Sequence, residues 1–102
     1  MKKNRKGKMF VGMAWYRPNQ WSLLRQVSLD SHDLEPTYEE WEKLAATKFQ
    51  ELQAQGVSVE KVDVDVEELI VWCRSRNVPI NAAARSNFAA EKVRQKHTGQ
   101  HE

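Results

Sequence analysis

At 102 residues, with 16 basic against 14 acidic side chains and a formal net charge of +2, the chain has the length of one ordinary domain and room for one core. Its one cysteine excludes an internal disulfide and a thiolate zinc centre, which fits a reducing, cytoplasmic setting. The longest apolar runs, MFVGMAW at 9–15 and LIVWC at 69–73, are too short to span a bilayer, so no membrane partner is expected.

Residues 1–8 carry Lys2, Lys3, Arg5, Lys6 and Lys8 without any hydrophobic pattern, and read as a disordered basic tail. Met9 and Met13 offer later starts, so the tail is either a native arm or an addition ahead of the folded segment. That segment is expected over 9–97, with 98–102 fraying. A strand is predicted over 9–16, apolar and aromatic, and stopped by Arg17 and Pro18. Pro18 suits the first turn of a helix over about 18–29, with Trp21, Leu24 and Val27 along one side. The segment LDSHDLEP is a loop, because Asp and Ser satisfy their own backbone locally.

Thr37 with Glu40 forms a capping box. The helix it opens sets Tyr38, Trp41, Leu44, Ala45, Phe49 and Leu52 on one face and stops at Gly56. Val57, Val59, Val62 and Val64 interleave with polar residues as in a half-buried strand. Asp65 then stands at a helix N-cap with Glu68 placed to reach back, ahead of the stripe Val66, Leu69, Ile70 and Cys73. Asn77 and Pro79 end that helix, and Asn81 caps a last one to about residue 96. The order strand, helix, helix, strand, helix, helix describes a small α+β or α/β chain, mostly helical, whose two strands pair in parallel through a right-handed crossover. A two-stranded parallel sheet is incomplete alone, so something is expected to extend or cover it, with residues 78–80 or a second copy of the chain as candidate edges.

Charge is unevenly spread. Residues 30–68 hold twelve acids against three bases, whereas residues 69–102 hold six bases against two acids. Without the tail the body is net −3, so a nucleic-acid affinity argued from the pI rests on the tail.

No constellation carries recognisable chemistry. Asp63 and Asp65 lie at the end of a strand, where α/β folds place functional carboxylates. Asp65 is already explained as a cap, Glu67 and Glu68 as dipole partners of a helix N-terminus, and Asp63 should face water. Cys73 sits on an apolar stripe, where cysteine behaves as a small hydrophobe and burial makes it inert. His97 and His101 have a zinc-compatible spacing but no third ligand. No catalytic, cofactor or metal residue is therefore assigned, and an enzyme ranks third among the readings.

Binding is the remaining theme. Trp15, Tyr16 and Trp21 cluster with Arg17 and Arg25 as a candidate binding surface. Four tryptophans in so short a chain are expected mainly to fill the core, with Trp21 the one left partly exposed. The candidate nucleic-acid contacts are Lys2, Lys3, Arg5, Lys6, Lys8, Arg85, Lys92 and Arg94. The helix pair 66–76 and 81–96 is a poor helix-turn-helix, since its connector is too long and lacks the usual glycine. The first reading is a non-catalytic module that binds a protein or a second copy of itself; the alternative is a nucleic-acid binder.

Overall fold

The computed structural model describes residues 10–99 and has the expected order. Strand β1 is Phe10–Tyr16, and helix α1 (Trp21–Val27) follows a 3-10 turn at Pro18–Gln20. Helix α2 is Tyr38–Ala54, β2 is Ser58–Val64, α3 is Val66–Arg76 and α4 is Ala82–Gly99. The strands pair in parallel, from Phe10 opposite Ser58 to Tyr16 opposite Val64. The caps of α2 and α4 come from local chemistry. The Thr37 hydroxyl accepts from the Glu40 amide at 3.2 Å, and the Asn81 side-chain oxygen accepts from the Ala84 amide at 2.9 Å. Asn77 closes α3 in the left-handed conformation, φ 60°, where its short side chain tolerates what most residues avoid.

Successive side chains of a strand point to opposite faces, and each face of this sheet has its own cover. Toward α4 point Phe10, whose ring stacks on His97 at 4.0 Å, Gly12 beside Val93, and Glu60, whose carboxylate meets His97 at 2.6 Å. Toward α2 points Trp15, edge-on to Trp41 at 5.2 Å and Phe49 at 6.2 Å, and Lys61 lies over the same Trp15 ring at 4.3 Å. The core forms at the carboxyl ends of the strands, where Tyr16 and Val64 meet Trp21, Leu24, Leu69, Cys73 and Phe88.

Three expectations are corrected. The helix over 18–29 begins as a 3-10 turn and ends at Val27, and residues 78–80 do not add a strand. Instead the Ile80 carbonyl accepts the Leu29 amide at 2.8 Å, tying the connector before α4 to the end of α1. The Asp65 cap is completed from afar. Gln20 donates to the Asp65 carboxylate and accepts from the Val66 amide, both at 2.9 Å, while Glu68 turns to Lys92 at 2.5 Å. Beside this clamp Arg17 grips Asp63 at 2.6 and 3.1 Å and holds its carboxyl below the usual range, so both strand–helix junctions are fastened together.

Two glycines are required for different reasons. A Cβ on Gly12 would lie 2.5 Å from Val93 Cγ2 and 2.8 Å from the Ala89 carbonyl oxygen, so only glycine lets α4 lie this close to β1. Gly56 has open space but φ +86°. Gly12→Ala should therefore lower stability by about 1–3 kcal/mol through overpacking, and Gly56→Ala by about 1–2 kcal/mol through backbone strain. Urea unfolding in a Val93→Ala background separates them: the Gly12→Ala cost should shrink and the Gly56→Ala cost should not.

Candidate interaction surface

The aromatic–arginine group is brought together, with Tyr16 and Trp21 in the interior and Trp15, Arg17 and Arg25 partly exposed. Trp21 is only 4% exposed, against the expectation that it would be the exposed tryptophan. Its ring stacks on Trp41 at 5.4 Å, and its indole N–H donates to the Glu35 carbonyl at 3.1 Å, which meets the one polar need of a buried tryptophan. Tyr16 is buried beside both, at 5.8 Å from Trp21 and 5.1 Å from Trp41. Trp15 is half-buried under Lys61, and Arg17 is engaged by Asp63. Arg25 is half-buried, its Nε shielded from solvent without an acceptor among the described residues. No aromatic platform is thus open for a base to stack on at Tyr16 or Trp21.

The proposed phosphate contacts fare similarly. Lys2, Lys3, Arg5, Lys6 and Lys8 lie outside the described residues. Arg85 is 9% exposed and cannot reach a partner, because its guanidinium donates to both Asp30 oxygens at 2.9 and 3.0 Å and to the Ser28 hydroxyl at 3.2 Å. Lys92 is engaged by Glu68, so only Arg94 remains as an exposed, unpaired cation of that set among the described residues. His97, paired with Glu60, is drawn away from a zinc role, and His101 lies outside the described residues. Among the described residues no group of three or more His, Cys, Asp or Glu is placed to hold a metal, and no helix is long and apolar enough to cross a membrane. Cys73 is buried in the core, and burial pushes its thiol pKa up.

The Asp30–Arg85 pair organises the surface nearby. Hydrogen bonds from Arg85 hold the Asp30 carboxyl below the usual carboxylate range, and the Ala82 amide adds to the effect. Burial pushes the Tyr16 hydroxyl, which also meets Arg85, up to about 12. Between Ser28 and Asp30, both held by Arg85, Leu29 is fixed by the hydrogen bond from its amide to the Ile80 carbonyl, yet its side chain is 72% exposed. Leu29 stands at the rim of an open cleft of about 480 Å3, lined by Val27, Ile70, Cys73, Val78, Pro79 and Ile80 with Arg74 and Asn77 at its edge. Val78 is also exposed, at 41%.

On the other side of Val78 and Pro79 runs a second groove of about 480 Å3 between α3 and α4. Ala83, Ala84 and Ala90 line it with small side chains; Trp72, Arg76, Asn87, Glu91 and Arg94 surround it. Arg76 stacks over the Trp72 ring at 4.2 Å, and the Trp72 indole N–H donates to Glu91 at 2.8 Å. Sequence reasoning missed both clefts. The available signals were the leucine that opens the polar segment LDSHDLEP and the small residues at 82–84, 89 and 90.

No family model, curated protein or solved structure matches the chain. Its functional reading rests on these surfaces.

Removing either partner of the Asp30–Arg85 pair leaves a charge largely shielded from water, so Asp30→Asn or Arg85→Met should cost about 3–5 kcal/mol. A lowered carboxylate pKa stabilises the fold above about pH 4, and that contribution is lost as pH falls through the lowered value. Urea midpoints measured against pH should drop on the acid side in the parent and drop less in Arg85→Met. Equal acid limbs would contradict the assignment.

Proposed function

We propose that the chain is a non-catalytic cytoplasmic module whose work is to bind another protein, and that the cleft beside Leu29 receives an apolar side chain of that partner. The observation that carries this is an exposed leucine held in place by its own backbone. A leucine on a loose loop can fold back onto the surface, but the bond to Ile80 keeps Leu29 at the cleft rim. Covering a leucine is worth about 1.5–3 kcal/mol, enough for an anchor of the kind that dominates protein interfaces. Val78 and Pro79 extend the apolar rim, and a concave apolar site with few polar groups at its edge is the usual form of a recognition pocket. A reducing compartment suits the unpaired Cys73 in the cleft wall. The nucleic-acid alternative draws on less: Arg85 is buried, Lys92 and Arg17 are paired, and the arm's lysines and Arg5 would have to supply the contacts.

A photo-crosslinking amino acid at position 29, placed in the full chain in its own cells, tests the reading. It should give one dominant protein adduct that is lost on adding Val78→Asp and absent with the same probe at Gln50, an exposed position on α2 turned about 120° from Leu44. Adducts equally abundant from both positions, or none from position 29, would overturn it.

A further inference from the structure

Helix α2 has one large apolar residue that the fold does not use. Tyr38, Trp41, Ala45, Phe49 and Leu52 face inward, but Leu44 is 58% exposed, against the expectation that it shares their face. Standing one residue before Ala45, it is turned about 100° round the helix from the buried stripe. It shares its outward stripe with Glu40, one turn before, and Glu51, two turns on, with Lys48 alongside; all are exposed. The groove between α3 and α4 has the converse character. Its alanine floor leaves room for an inserted side chain, and its rim carries Arg76 and Arg94 about a single acid, Glu91.

From these we infer that the α3–α4 groove receives helix α2 of a second copy of this chain, with Leu44 over the alanine floor and Glu40 and Glu51 toward the arginines. The two surfaces are complementary in charge within one sequence. The helix presents two acids about one lysine, and the groove presents two arginines about one glutamate. This local pattern repeats the larger division of the chain, in which residues 30–68 hold twelve acids against three bases and residues 69–102 hold six bases against two acids. An amphipathic helix seated in a groove between two others is a recurrent mode of recognition. A two-fold axis lets each copy give its helix and accept its partner's, so the contact closes as a dimer rather than growing into a chain. Arg94 has no ion partner among the described residues, and Arg76 meets Glu91 only at 3.4 Å, so both can turn to an incoming carboxylate. The inference stands on a different surface from the Leu29 cleft and does not depend on it.

Sedimentation velocity on the full chain over a concentration series reads the association, and mixing two variants identifies the surface. Arg94→Glu sets like charges against each other at both copies of the contact and should weaken dimerisation at least about tenfold. A Glu40→Lys/Glu51→Lys variant should do the same, as should Leu44→Asp. In an equimolar mixture the Arg94→Glu and Glu40→Lys/Glu51→Lys chains should dimerise again, because one contact of the mixed pair is the parental one and the other sets the acid introduced at position 94 against the introduced lysines. All four substitutions fall on exposed side chains, so circular dichroism should report intact folds. A parent chain that stays monomeric at high micromolar concentration and low salt would overturn the inference. So would dimers indifferent to these substitutions, or a mixture no more associated than its components. Adducts at position 29 would be unaffected by any of those results.

Discussion

The bond between Asp30 and Arg85 is the constraint on which the rest of this structure turns. It is a two-point contact between a carboxylate and a guanidinium that both lie largely out of water, joining residues 55 positions apart. Such a pair contributes little net stability over a well-packed apolar substitute, but it tolerates very few arrangements of the backbone around it. Here those arrangements include the end of β1 through Tyr16, the loop after α1 through Ser28 and Asp30, and the first turn of α4 through Ala82 and Arg85 itself. The Leu29–Ile80 hydrogen bond lies inside that frame. The ordered apolar cleft is thus a by-product of a polar contact behind it.

The second constraint is the small sheet. Two parallel strands expose two faces and bury little by themselves, so their stability comes from the helices laid over them. Gly12 brings α4 down onto β1, and the rings of Trp15, Trp41 and Phe49 join the other face to α2. At the far end the Gln20 and Arg17 contacts lock the start of α1 to the start of α3. The covers leave two concave places beside Val78 and Pro79, where the connector between α3 and α4 stands away from the surface.

What was legible in the sequence is what local physics encodes. The valine alternation, the caps at Thr37, Asp65 and Asn81, and the break at Gly56 each depend on residues within one turn of each other, and each appears where its pattern places it. The order of elements and the parallel pairing follow from the same signals. Contacts between residues far apart in the chain were not legible. Nothing about Arg85 within its own helix distinguishes it from a solvated arginine; its partner sits in a loop that reads only as turn-forming. Trp21 looks exposed because its helix is short, whereas Tyr38 and Trp41 from a distant helix close over it. Gln20 carries no local signal at all, since its task is to cap a helix that begins 46 residues later. The exposure of single side chains was illegible for the same reason: aromatic residues draw attention in a sequence, but the fold buries Tyr16 and Trp21 and leaves Leu29 and Leu44 outside.

The Asp30–Arg85 pair is what positions the Leu29 cleft. Amide hydrogen exchange resolved by residue, comparing the parent with Arg85→Gln, reads this dependence at the Leu29 amide itself. Protection of the Leu29 amide should collapse in the variant while amides within β2, which report global unfolding, slow or quicken only with overall stability. If Leu29 keeps its protection relative to β2 after the guanidinium is gone, the cleft is held by something else and the account is wrong.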